Sequence, residues 1–225
     1  MGILRKNFLA VIASFVLLSI STSCQEEELE VVDPNIDNTI PQNSQLAGLM
    51  RNIVTHDGSY DDVVDGGNCF SVNLPYSITQ NGQPLIIDSI EDYSSLSDSD
   101  DIQIQFPIKI TRADHVVETI ENQNNLDKLA NTCQIRDEDI ECVDFVYPFI
   151  FATFDSNNNI IATTEMFHDA QVFGFMEGLN ENTVVSINYP IQLLLSNGEF
   201  LQIAHNTDLL SGIEAFQQSC EENDG

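Results

Sequence analysis

The chain has 225 residues and carries 36 Asp and Glu against 7 Lys and Arg, a formal net charge of −29. A field this negative argues against a nucleic-acid partner, because phosphate recognition depends on neutralisation by Lys and Arg, and against docking to an anionic lipid surface. Hydrophobic residues make up 42 %, ample for a core and too many for a wholly disordered acidic chain.

The N-terminus is organised differently from the rest. Arg5 and Lys6 precede an apolar run, FLAVIASFVLLSI from Phe8 to Ile20, then small residues Ser21-Thr22-Ser23 and Cys24. The run is short for a membrane span, which takes about 20 residues, and its flanks are those of a secretory signal. A Cys directly after the small residues predicts a lipoprotein signal peptide over 1–23, cut before Cys24, with the Cys24 thiol diacylated and the new amino terminus acylated. The alternative is an ordinary signal followed by a chance Cys. Three acyl chains anchor a protein firmly, so the mature chain is expected to be held at a bilayer through Cys24 without spanning it. Cleavage removes Arg5 and Lys6 and no acid, making the mature chain more negative still. The block Gln25-Glu26-Glu27-Glu28-Leu29-Glu30 resembles the acidic export signal of Bacteroidota lipoproteins, which implies display on the outer face of the outer membrane. On charge alone it is a solvated tether.

Residues 24–43, with Pro34, Pro41 and many Asn and Asp, read as an acidic flexible tether. Over 44–68 a short helix and a loop are expected: Ser44 caps a helix with Leu46, Leu49, Met50 and Ile53 on one face, and HDGSYDDVVDGGN follows.

From Cys69 the chain repeats. Leu74-Pro75, Phe106-Pro107, Tyr147-Pro148 and Tyr189-Pro190 each sit inside an alternating apolar pattern, such as Phe70, Val72, Leu74, Tyr76 and Ile78. Alternation over nine residues predicts half-buried strands, with each Pro at a sheet edge or bulge. Around Pro148 both faces are apolar, which predicts a central strand. Asn81-Gly82 and Asn197-Gly198 are strong hairpin turns; Asp155–Asn159 and the region of Asp114 are weaker ones. Return strands are predicted at Pro84–Asp88, Val116–Ile120, Ile160–Thr164 and Phe200–Ala204. Helices follow on Leu126/Leu129/Ala130/Cys133, Val172/Phe175/Met176/Leu179 and Leu209/Ile213/Phe216/Cys220, the last capped by Asn206, with a short helical stretch from Ser89 to Leu96. The fold class expected is therefore α+β, an internally duplicated set of antiparallel β-hairpin and helix units over 69–221 sharing one core, with copies at 69–133 and 142–220.

Cysteines agree with the duplication. Cys69 and Cys142 each lie six residues before a repeat Pro, and Cys133 and Cys220 each end a helix. In an exported protein an even number implies disulfides. The symmetric pairing, preferred here, is Cys69–Cys133 with Cys142–Cys220; Cys133–Cys142 with Cys69–Cys220 also respects the duplication. Four Cys at these distances are poor zinc ligands.

The segments DGSYDDVVDGGNCFSVNLPYSIT, ECVDFVYPFIFATFD and INYPIQLLLSNGE resemble an uncharacterised lipoprotein family of flavobacteria and relatives. The resemblance covers most of 45–221 and implies location and repeat, but no chemistry.

Catalytic motifs are missing. His56, His115, His168 and His205 fall at unrelated repeat positions and are expected as solvated loop histidines; there is no HExxH, nucleophile elbow or Gly-rich phosphate loop. No catalytic residue, metal ligand or cofactor is assigned. Asp57, Asp61, Asp62 and Asp65 form an oxygen-rich loop of the kind that suits Ca²⁺, and Asp155-x-Asn157-x-Asn159 is a weaker one; neither has EF-hand spacing, Ile160 standing where the second would need Gly, and Asx-turn chemistry is the preferred reading of both. Phe106, Tyr147 and Tyr189 fall on the core side of the alternation. The expected function is a surface-exposed outer-membrane lipoprotein acting as a non-enzymatic binding or structural module for an unknown extracellular ligand or surface protein. An extracellular carboxylate-dependent hydrolase and a calcium-dependent adhesin are the alternatives.

Overall fold

The computed structural model describes residues 38–133, 139–155, 159–180 and 183–217. The predicted signal peptide, Cys24 and Cys220 lie outside them. Helices and antiparallel sheets alternate along the chain, in keeping with the α+β class. The elements are β1 (Thr39–Ile40), α1 (Gln45–Ile53), α2 (Asp62–Asp65), β2 (Phe70–Val72), β3 (Tyr76–Gln80), β4 (Gln83–Ile87), a 3₁₀ turn (Ile90–Ser95), β5 (Ile102–Ile104), β6 (Ile108–Arg112), β7 (Val117–Ile120) and α3 (Gln123–Cys133). After the gap come β8 (Val143–Phe145), β9 (Phe149–Phe154), β10 (Ile160–Met166), α4 (Asp169–Glu177), β11 (Val184–Ile187), β12 (Ile191–Leu195), β13 (Phe200–Ile203) and α5 (Asn206–Gln217). No helix among the described residues is long and apolar enough to cross a membrane.

Each expected nine-residue strand is in fact two strands. Proline has no N–H for the ladder, and the chain leaves one sheet before each repeat Pro and enters another after it. The four X–Pro bonds are cis. Before Pro75, β2 pairs with β6; after it, β3 pairs with β4 and β5. Before Pro148, β8 pairs with β12; after it, β9 pairs with β10 and β11. Four backbone bonds close the crossings: Asn73 N–H to Lys109 O at 2.8 Å, Gln105 N–H to Ser77 O at 2.9 Å, Val146 N–H to Gln192 O at 3.0 Å and Asn188 N–H to Ile150 O at 2.8 Å. Each runs from two residues before one Pro to two residues after another.

The sheets that result are β2–β6–β7, β4–β3–β5, β8–β12–β13 and β1–β11–β9–β10. A pre-proline strand never pairs with the hairpin that follows it, but with the hairpin of the next or preceding segment. The exchange joins the Pro75 segment to the Pro107 segment and the Pro148 segment to the Pro190 segment. This overturns the single shared core. Two hydrophobic clusters form, one around Phe70, Ile78, Ile110 and Leu126 and the other around Phe149, Phe151, Val185, Leu193 and Leu209. The central position expected for the Pro148 strand holds for β9, flanked by β11 and β10, with Phe149, Phe151 and Phe154 buried.

Two further expectations are corrected. The flexible tether does not extend to residue 43: Thr39 and Ile40 pair with Ser186 and Val185 at the open edge of β11, and Ile40 is 1 % exposed. Two residues show no periodicity, so the sequence pattern carries no sign of this strand. Asn206 is no simple cap either. Its Oδ1 accepts from the Tyr189 hydroxyl at 2.6 Å and its Nδ2 donates to Thr39 O at 3.0 Å, so it fastens α5 to β1.

The α1 prediction is met: Ser44 Oγ accepts from Ala47 N–H at 3.2 Å, and Leu46, Met50 and Ile53 are buried in the second cluster. Cys69 and Cys133 are disulfide-bonded, Cα atoms 5.5 Å apart, which excludes the alternative connectivity. Cys142 is disulfide-bonded as well.

Candidate functional site

The segment after α1 runs between the two clusters and is tied to both. Ile140 N–H donates to Asn52 O at 3.1 Å, and His56 N–H donates to Ala113 O at 3.0 Å in the loop after β6. A cleft of about 270 Å³ opens here. Its walls come from separated parts of the chain: Ile53 at the end of α1, Thr55, His56 and Asp57 of the crossing segment, His115 of the β6–β7 turn, Asp139, Ile140 and Glu141 before β8, Asp144 on β8 and Asp169 on α4. No Lys or Arg stands among these lining residues.

His115 owes its position to the turn. Arg112 N–H donates to Val116 O at 3.0 Å and His115 N–H to Arg112 O at 2.7 Å, leaving His115 at φ +63°. A non-glycine residue in the left-handed region costs about 1 kcal/mol. The ring offsets this with a hydrogen bond: Nε2–H donates to Val54 O at 2.6 Å, which makes Nε2 the protonated nitrogen because a carbonyl only accepts. The ring also packs edge-on to Phe173 of α4, centroids 5.6 Å apart. His56 stands 5.8 Å from His115, with Nε2 2.7 Å from Ser71 Oγ. Burial, then the neighbouring His115, pulls the His56 pKa below 6.5, with Asp57 opposing. Two of the four histidines are thus structural rather than solvated; His168 and His205 are exposed as expected. The Ser71–His56 pair has the spacing of a nucleophile and its base, yet Ser71 is 1 % exposed and not in the cleft wall.

Asp57 Oδ1 accepts from Ser59 N–H at 2.8 Å and lies 2.9 Å from Ser59 Oγ, the Asx-turn reading of this loop. One oxygen each of Asp57, Asp139 and Glu141 lie within 4.8 Å of one another. Across the cleft, the Tyr147 hydroxyl donates to Asp169 Oδ1 at 2.6 Å. Desolvation, then Asp169, raises the pKa of Asp144. Tyr147 is half-buried, stacked on Phe149 with centroids 5.5 Å apart, so its ring serves the core and its hydroxyl the cleft rim.

The acidic loop singled out in the sequence therefore divides. Asp57 faces the cleft, while Asp61 and Asp65 turn into the first cluster beside Tyr60, Tyr76 and Tyr93. Asp139, Glu141, Asp144 and Asp169 carry no local motif, and the only hint was Asp139 and Glu141 standing just before Cys142. A second concavity, of about 510 Å³, lies between the Pro75 and Pro107 crossings, with Lys109 its one charged lining residue; it offers no acid–base or ligating set.

No protein-family model matches the chain, and neither the curated proteins nor the solved structures include one significantly similar to it.

Proposed function

We propose that the chain is a lipoprotein anchored through acylated Cys24 and displayed on the outer face of an outer membrane, where its duplicated α+β part is a non-enzymatic binding module. The anchor and address rest on the apolar run closed by Ser21-Thr22-Ser23-Cys24, the acidic block at Glu26–Glu30 and the flavobacterial family resemblance. Duplication is supported by the matching sheet orders: β2–β6–β7 corresponds to β8–β12–β13, and β5–β3–β4 to β11–β9–β10.

The observation that carries the binding reading is the chemistry of the cleft. Both histidines spend Nε2 on structural partners, Val54 O and the buried Ser71, so no accessible nucleophile–base pair remains there. What lines it is carboxylate from separated parts of the chain, and such a surface attracts a cationic ligand. Three oxygens within 4.8 Å match the spread around a hard cation bonded at roughly 2.3–2.6 Å, which favours a calcium-dependent adhesin as the second reading. The carboxylate-dependent hydrolase keeps one feature in its favour, a cleft carboxyl, Asp144, whose pKa burial and then Asp169 raise.

Protease shaving of intact cells tests the display: cleavage before lysis supports it, and protection until lysis rejects it. Melting in 1 mM Ca²⁺ against chelator tests the second reading. A rise in Tm that Asp57→Asn abolishes supports calcium binding, and identical melts reject it.

A further inference from the structure

Beside the cleft, the same loop buries two carboxyl groups that the binding reading does not use. Asp61 is 0 % exposed and Asp65 6 %. They stand four residues apart at the two ends of the single turn α2, a spacing that sets side chains on one helix face. Each gives one oxygen to a backbone N–H: Val72 N–H donates to Asp61 Oδ2 at 2.7 Å, and Gly67 N–H to Asp65 Oδ1 at 3.0 Å. The other two oxygens, Asp61 Oδ1 and Asp65 Oδ2, are buried with no hydrogen-bond partner.

A buried carboxylate without a counter-charge costs several kcal/mol, and two such groups repel each other as well. Among the described residues, nothing packed against the pair supplies a fixed positive charge; the ring of His56, beside Ser71 on β2, is held toward its neutral form by burial. On the loop itself, Asp57 and Asp62 are acidic and raise the cost of ionisation. Tyr60, Tyr76 and Tyr93 are phenols held neutral by burial. Strand β2 contributes Phe70, Ser71 and Val72, none of them charged; on α3, Asp127 and Lys128 are exposed and Cys133 is bridged to Cys69. Among the described residues, neutrality is left to a proton or a bound cation. Among the described residues three ligand oxygens converge only at Asp57, Asp139 and Glu141, not at Asp61 and Asp65, which favours the proton.

We propose that Asp61 and Asp65 are a proton-held latch: protonated, they keep the 58–67 loop docked over Phe70, and ionised, they expel it and open the first hydrophobic cluster. The loop has no slack to retain the charges by shifting. A Cβ on Gly58 would lie 2.4 Å from Phe70 N, and one on Gly67 2.6 Å from the Phe70 ring, so the backbone lies directly against that residue. Burial first, with neighbouring carboxylates, raises both groups above the ordinary carboxylate range. In the unfolded chain they ionise in that range. At neutral pH the folded state therefore holds more protons, and stability falls as pH rises.

The test is thermal unfolding of the full chain in chelator from pH 7.5 to 9, followed by circular dichroism and tyrosine fluorescence. Wild type is expected to lose several degrees in Tm across the window, while Asp61→Asn/Asp65→Asn gives a flat profile and the higher Tm at pH 9. Parallel profiles would overturn the latch. So would recovery of the wild-type Tm at pH 9 on adding 1 mM Ca²⁺, which would assign the pair to a cation. Should the double variant not fold, hydrogen exchange on wild type decides. Protection of the Val72 amide, corrected for intrinsic rate, is expected to drop with pH relative to that of Phe151; a constant ratio would reject the proposal.

Discussion

Phe70 is the residue on which the first cluster turns. It is fully buried, closed from one side by the Gly58 backbone and from another by Gly67, so these two glycines are required for lack of a side chain rather than for any unusual φ. Gly58→Ala forces a methyl into the Phe70 backbone, which cannot give way as a side chain would. The expected loss is about 3 kcal/mol, the upper part of the overpacking range, measured by urea unfolding; Gly48→Ala, with open space at its Cβ, should lose nothing and serves as the control. His56 allows a second residue-scale prediction. Its depressed pKa means that the fold prefers the neutral ring, so its contribution is present above the unfolded value of 6.5 and is lost as pH falls through the lower folded one. Titration followed by NMR should give His56 a midpoint below 6.5, and an ordinary midpoint would contradict the burial. The Asp61–Asp65 latch acts in the opposite direction and through two groups against one, so net stability is expected to fall with rising pH wherever both act.

At the scale of elements, Asn-Gly makes two different turns from one signal. Asn81 and Gly82 both have positive φ, +52° and +80°, the two-residue turn that joins β3 to β4. At Asn197-Gly198 only Gly198 is left-handed, at +81°, and Gly198 N–H donates to Leu195 O at 2.8 Å, which makes a three-residue loop. The β6–β7 turn has the same form with His115 in the glycine's place, and that substitution delivers a ring into the cleft. The Cys69–Cys133 bridge spans 64 residues, so chain-entropy arithmetic gives it about 4 kcal/mol. Cys69→Ala/Cys133→Ala should lower stability by about that amount in chemical denaturation; an unchanged midpoint would mean that the reduced chain is already held by its strand exchange. Hairpins, return strands and helices were legible because alternation and helical spacing are local. The proline crossings were legible only as positions. Unbroken alternation on both sides of Pro75 or Pro148 describes one long strand as well as two short ones, and only the partner strands distinguish them. The cleft was less legible still. Asp57 stood out in its loop, but Asp139, Glu141, Asp144 and Asp169 meet it through pairings more than 80 residues apart in sequence.

At the scale of the whole molecule, the strand exchange explains why four small units make two cores. Each pre-proline strand completes the sheet of its neighbour, so a single unit cannot close, whereas a pair of units can. The second pair is completed from outside its own sequence: β1 extends the β11 edge, and α1 inserts Leu46, Met50 and Ile53. Those elements precede the rest of the described chain, so a pull on the proposed anchor at Cys24 would reach the second cluster before the first. The two clusters should therefore respond separately. Met50→Ala removes a fully buried side chain and should cost about 2–5 kcal/mol. Its effect in hydrogen exchange should be faster exchange in β8, β9 and β11, with β2, β3 and β6 unchanged. Loss of the Cys69–Cys133 bridge should give the reverse map. If either variant loosened both sets of strands equally, the two clusters would unfold as one cooperative unit, and the exchange of strands within each pair would not be what sets the limits of cooperativity.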